Sequence, residues 1–212
     1  MSLAGTVPTL KRLGPFAAVL DVGGNVGEWA ELARGLWPDC RLTSFEPLPF
    51  LAAANRQRAR GRWWVEEVAV SDATGAATLH VCTNQHSAST MQEPGSVRRE
   101  QFGIRDRFED VTVEAFPLDR YLPTLPPSGR LLVKVDVEGH EHRVLAGARL
   151  TLRWADAVIV EVQQSPAVFG GAAPPDVIDA ELRAAGLYFA GVLGCLEAPG
   201  GEIVQFDGLW TR

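Results

Sequence analysis

The sequence predicts an α/β protein: a doubly wound, mostly parallel seven-stranded sheet with a C-terminal antiparallel hairpin. Two observations carry this. Short apolar runs of the kind buried in parallel sheets alternate with segments of helical period. The last two β-rich runs are joined by the turn "APGG" (198–201), which reads as a hairpin.

The elements follow in order. "FAAVLDV" (16–22) is the first strand. "NVGEWAELARGLW" (25–37) is a helix, with Val26, Trp29, Ala30, Ala33 and Trp37 recurring every three or four residues and Pro38 and Asp39 ending it. "RLTSFEP" (41–47) is a strand closed by Pro47, and "PFLAAANRQRARG" (49–61) a helix stopping near Gly61. "WWVEEVAVSD" (63–72) is the third strand, with Trp63 and Trp64 on opposite faces. "ATLHVCT" (77–83) is a further strand. A long polar stretch, 84–110, comes next, and "VTVEAFPLDRYL" (111–122) runs from strand into a short helix. The alternation resumes with a strand over 130–139, a helix over 141–152 and the strand "ADAVIVEV" (155–162). A helix over 175–186 precedes "YFAGVLGCL" and "EIVQFDGLW", with Trp210 expected at the sheet edge.

At 212 residues, 46% of them hydrophobic, the chain reads as one domain spanning 1–212, with 84–110 as a lid or insertion. A net charge of −6 argues against a broad nucleic-acid surface. No apolar run reaches the roughly 20 residues of a membrane span, and no leader pattern stands at the N-terminus. Three scattered cysteines, Cys40, Cys82 and Cys195, suit reduced thiols in a cytoplasm.

Doubly wound sheets bind ligands at the carboxyl ends of their strands. Asp21, Glu46, Asp72, Asp136 and Glu161 fall at or near such ends and are expected to share one rim. The stretch "VLDVGGNVGEW" (19–29) sets Asp21 before a turn containing Gly23, Gly24, Asn25 and Gly27. Glycines there permit positive φ and a close ligand approach ahead of a helix N-terminus. A dinucleotide is a poor guest. The first glycine of its fingerprint is replaced by Val22. Asp21 would also face pyrophosphate charge, costing about 3 kcal/mol at ~5 Å and an effective dielectric of ~20. S-adenosylmethionine (SAM) fits better, because it carries an ammonium and a sulfonium and no phosphate. Its carboxylate is expected on the turn's N–H groups, and its ribose hydroxyls on Glu46, which Pro47 follows on the cofactor side. Asp72, or the backbone of Val70 and Ser71, stands where the third strand would meet an adenine.

The stretches "LDVGGNVGEW", "FEPLPF", "EEVAVSDATGAATLHV", "FPLDRYL" and, most specifically, "LLVKVDVEGHEHRVLAGA" occur in one order across residues 18–162. In these the chain resembles the FkbM-type SAM-dependent methyltransferases. The resemblance implies the class I methyltransferase fold and O-methylation of a hydroxyl on a sugar, polyketide or similar metabolite. It matches Asp21, Gly23, Gly24, Asn25, Gly27, Glu46 and Asp136 to the family's cofactor and active-site motifs. It transfers no acceptor contact.

Methyl transfer to a hydroxyl is helped by a general base or by a metal that acidifies the acceptor. Asp136, Glu138 and His140 stand at the end of the central strand. His140 is the natural base by its ordinary pKa, the alternative being a helix cap or surface residue. Asp136 and Glu138 would orient the acceptor, bind the methionine ammonium or ligate a divalent cation. His86 in the polar stretch is a second candidate base. "RREQFGIRDRF" (98–108) would dock an acidic acceptor or form an amphipathic helix with solvated arginines. His140 and His142, two apart, make no zinc pair and read as a solvated helix start. Two rival functions are a nicotinamide-dependent oxidoreductase, for which no Tyr-x-x-x-Lys pair is present, and a non-catalytic SAM-binding module. The expected partners are a small hydroxylated acceptor and a second copy paired through the final hairpin, with neither nucleic acid nor membrane.

Overall fold

The structure, a computed structural model, describes residues 7–94, 107–164 and 169–212. The helix α1 (Val7–Leu13) leads into β1 (Ala18–Val22), α2 (Glu28–Leu36), β2 (Arg41–Phe45) and α3 (Pro49–Ala59). Then come β3 (Trp64–Glu66), β4 (Ala69–Val70), β5 (Gly75–Cys82), a 3₁₀ turn at His86–Ala88, and β6 (Glu93–Pro94). β7 (Phe108–Phe116) is followed by a 3₁₀ segment (Leu118–Thr124), β8 (Leu131–Val135), α4 (Glu141–Ala146), α5 (Arg149–Trp154) and β9 (Ala157–Gln163). The chain continues through β10 (Phe169–Gly170), α6 (Pro175–Ala184), β11 (Tyr188–Glu197) and β12 (Ile203–Thr211).

Seven strands form the main sheet in the order β11-β12-β9-β8-β1-β2-β3. Every neighbouring pair is parallel except those made by β12, which runs antiparallel to both β9 and β11. β1, β8 and β9 are buried along their whole length because helices cover both faces. Their side chains alternate between two cores. Leu20, Val133, Val160 and Trp210 pack with Val144 and Leu152 of α4 and α5 and with Leu182 of α6. On the other face Val19, Leu132 and Leu209 meet Leu10 of α1, Ala30 and Ala33 of α2, and Trp37.

Several element expectations need correction. The third strand is two: β3 joins the main sheet, whereas β4 leaves it to pair with β7 in a small sheet ordered β4-β7-β5. The helix over 141–152 breaks at Gly147 and Ala148 into α4 and α5. Trp210 is not at the edge. It sits on β12, one strand in, and is 2% exposed. Trp63 and Trp64 do part, one 4% and the other 60% exposed. The arginine-rich stretch 98–108 falls largely on residues 95–106, outside the described ones. No described helix is long and apolar enough to cross a membrane.

Candidate active site

Above the carboxyl ends of β1, β2, β8 and β9 lies a cavity of about 680 Å³, walled on one side by β12. The turn after β1 forms its floor. Gly23 has φ +83°, and a Cβ there would stand 1.7 Å from the carbonyl oxygen of Asp136, so only glycine lets the two loops pass. The turn's N–H groups are committed internally. Those of Gly23 and Gly24 donate to the Phe45 carbonyl, that of Asn25 to Glu46, that of Val26 to the Asn25 side chain, and that of Gly27 to the Gly24 carbonyl. This corrects the expectation that they hold a ligand carboxylate. It also takes the glycine-turn donors away from a pyrophosphate.

Glu46, at the end of β2, lines the cavity. Its Oε2 accepts the Asn25 N–H at 2.9 Å and its Oε1 the Leu48 N–H at 2.9 Å. Burial pushes its pKa up to about 7. Around it an apolar slot is made by Phe45, Pro47, Leu48, Leu51, Val68 and Val70.

Asp21, Gly27, Ser71 and Asp72 do not border the cavity. Asp21 is fully buried behind it. It accepts the Ser44 hydroxyl at 2.9 Å and lies 3.6 Å from the Lys134 ammonium, because the parallel register places Asp21 between Ser44 and Lys134. Lys134 then reaches Asp136 at 3.0 Å, with the Trp29 ring 5.8 Å away. The two carboxylates raise the lysine pKa above its ordinary range, outweighing burial. Asp136 and Lys134 both line the cavity. Sequence reasoning missed Lys134. Its signal was a lone cation inside an apolar strand, which must be paired to be buried.

Beyond Asp136 the cavity becomes acidic. Glu138, Glu161 and Asp207 line it, and oxygens of Asp136, Glu138 and Glu161 come within 4.8 Å of one another. The donor set is already spoken for. Lys134 neutralises Asp136, while Gln205 and Gln163 donate amide hydrogens to Glu161, so we assign no metal ligand here.

His140 lines the cavity, but its ring is engaged on both sides. Nε2 lies 2.9 Å from the Ser71 hydroxyl and Nδ1 2.9 Å from the Gln92 amide. Burial pulls its pKa down to about 4, leaving it a neutral, hydrogen-bonded ring. Ser71 in turn bonds Asp72, which pairs with Arg143 at 2.8 Å, so Asp72 is turned from any adenine toward α4. Glu141 is buried rather than solvated. Its Oε1 accepts the N–H groups of Val137 and Gly139 and so holds the turn in which Glu138 takes φ 54°. His86 sits at the mouth, its ring edge-on to Phe50.

A seven-stranded sheet with one reversed strand beneath such a cavity is the architecture of the class I methyltransferases. The O-methyltransferase TomG of Streptomyces achromogenes, in complex with SAM, is similar with a TM-score of 0.52 at 14% identity, over 100% of this chain and 81% of that one. The 1,6-didemethyltoxoflavin-N1-methyltransferase of Burkholderia thailandensis, with bound S-adenosylhomocysteine, is similar with a TM-score of 0.50 at 13% identity, over 99% and 76%.

Within that architecture, the chain belongs to the methyltransferase FkbM domain family, which it matches over residues 21–187. The 2-O-methyltransferase NoeI of Sinorhizobium fredii is 31% identical over 145 residues, 65% of this chain and 60% of that protein. The 31-O-demethyl-FK506 methyltransferase FkbM of Streptomyces tacrolimicus is 30% identical over 162 residues, 64% of this chain and 61% of that protein. The chain thus spans about three fifths of the length of these curated relatives.

Proposed function

We propose that this chain is a SAM-dependent O-methyltransferase acting on a hydroxyl of a small metabolite. The observation that carries the reading is the two-part cavity, an apolar slot beside Glu46 that continues into a pocket edged by Asp136, Glu161 and Asp207. The slot suits an adenine, and Glu46 keeps lone pairs for a vicinal diol while accepting two backbone N–H groups. The acidic end favours an ammonium and a sulfonium and disfavours the phosphates of a dinucleotide. Bound SAM supplies a methyl group already activated on sulfur. The protein's part is to hold an acceptor oxygen about 3 Å from that carbon and to exclude water.

Asp21 acts through Lys134, which fixes the Asp136 carboxylate at the end of β8. His140 organises the loop instead of taking a proton, because both ring nitrogens are bonded within the protein. The names of both curated relatives specify chemistry at oxygen, which supports an oxygen acceptor.

Isothermal titration tests the cofactor directly. SAM is expected to bind with a Kd on the order of micromolar, NAD to give no heat, and Glu46→Ala to weaken SAM about tenfold or more. Tight NAD binding, or silence with SAM from folded protein, overturns the reading.

A further inference from the structure

The register of the C-terminal hairpin puts Asp207 of β12 directly opposite Glu161 of β9, so both side chains leave the same face of the sheet. Both line the cavity, and Glu161 is only 5% exposed. Like charges set opposite each other in an antiparallel pair destabilise a sheet, and burial multiplies the cost. Nothing in the packing calls for them. Their neighbours in the ladder, Ile159 and Leu209, are an ordinary apolar pair. The surroundings hold Glu161 still without neutralising it, since Gln205 and Gln163 donate amide hydrogens to its two oxygens. The charged groups facing it are Asp136 and Glu138 from the turn after β8, Glu141 of α4 and Asp207 of β12. Among the described residues, the lysine that lines the cavity, Lys134, is bound to Asp136.

From this arrangement we infer that Glu161 is the proton acceptor of the methyl transfer, with Asp207 as the neighbour that sets its basicity. The inference rests on the function proposed above. As the acceptor oxygen forms its bond to the methyl carbon, the carbon–sulfur bond breaks with its electron pair left on sulfur. The hydroxyl proton passes to a Glu161 oxygen. The pocket therefore loses one positive charge, the sulfonium, and one negative charge, the carboxylate, in the same event, and its net charge is unchanged. Burial and the four surrounding carboxylates raise the Glu161 pKa well above the ordinary range, which suits a group that must hold a proton near neutral pH.

The test needs no knowledge of the acceptor. SAM and S-adenosylhomocysteine share ammonium, carboxylate, ribose and adenine and differ by one methyl group and one positive charge. The sulfonium lowers the proton affinity of Glu161, so SAM expels a proton that S-adenosylhomocysteine leaves in place. Titration calorimetry of the full chain, in buffers of different ionisation heat, reads this directly. The expected result is more proton release with SAM than with S-adenosylhomocysteine, a difference approaching one proton. SAM affinity relative to S-adenosylhomocysteine then rises with pH by up to about tenfold per unit. Glu161→Gln should abolish the difference while still binding both ligands. Gln205→Ala, which keeps the carboxyl and removes a donor to it, should move the pH of the difference upward, and it serves if Glu161→Gln does not fold. Equal proton counts for the two ligands in the wild-type chain, or a difference that survives Glu161→Gln, would overturn the inference. If the Gln variant is unfolded, an unmoved pH of the difference in Gln205→Ala does the same. A wild-type chain that binds neither ligand instead overturns the proposed function.

Discussion

Lys134 shows how one side chain ties the fold to the site. Its ammonium lies between Asp21, behind the cavity, and Asp136, within it, and is itself shut off from solvent. Replacing it by methionine keeps the apolar stem and strands two carboxylates beside each other without a cation. Lys134→Met should therefore lose about 3–5 kcal/mol of unfolding free energy in urea titration. A loss under ~1 kcal/mol would mean that the carboxylates simply take up protons. Asp21 was legible in the sequence as an acidic strand end, but its role was not. Whether such a residue faces a ligand or a buried cation depends on which strand lies beside it, and strand adjacency is not written locally.

Among the elements, the segment after β5 governs the mouth of the cavity. Thr90, fully buried, exchanges backbone hydrogen bonds with His80 and donates its hydroxyl to the Glu138 carbonyl at 2.5 Å. Gln92 then reaches His140. These contacts bring His86, Ser89 and Met91 against the cavity. Thr90→Val preserves shape and removes both hydroxyl bonds, the one donated to the Glu138 carbonyl and the one accepted from the Gln92 N–H. It should cost about 0.5–1.5 kcal/mol and speed proteolytic cleavage between residues 83 and 92. Unchanged cleavage would place the hold elsewhere.

The main strands and helices were readable because their apolar periods are strong and several end at proline, glycine or an acidic residue, as at Pro38, Pro47, Gly61 and Asp136. The departure of β4 into a second sheet was not, since Val68, Ala69 and Val70 are buried as thoroughly as a central strand would be. Nor was the division of the helix after β8. Its apolar stripe runs on through Gly147 and Ala148, and the break shows only once Asp119 is seen accepting the N–H groups of Leu150 and Thr151.

For the molecule as a whole, the concentration of buried acids sets the response to pH. Burial raises Glu46 and Glu141 to about 7 and Asp207 to about 6, from ordinary values of 4.5, 4.5 and 3.8. In that window the folded chain keeps protons that the unfolded chain has released. The linked cost is absent below the unfolded values and complete above the folded ones. His140 has the opposite sign. Lowered from 6.5 to about 4, it contributes stability that is present above 6.5 and lost as pH falls through 4. The effects oppose each other at acid pH, and above 6.5 only the carboxyls act. The ligand-free protein should therefore lose thermal stability between pH 6.5 and about 8, each linked proton being worth about 1.4 kcal/mol per unit. A melting temperature that is flat or rising there in differential scanning fluorimetry contradicts this.

The position of β12 has a consequence for how the protein comes into being. It slots between β9 and β11, both of which precede it along the chain, so β11 has no partner in the main sheet until β12 arrives. The same strand brings Val204, Gln205 and Asp207 to the cavity after every other wall has been synthesised. A nascent chain halted before Ile203 would carry the glycine turn, Glu46 and Glu161, yet its last wall would be open to water. The acidic pocket is completed only by a chain that has been translated through residue 207, so premature termination yields a pocket that cannot close rather than a partly working one.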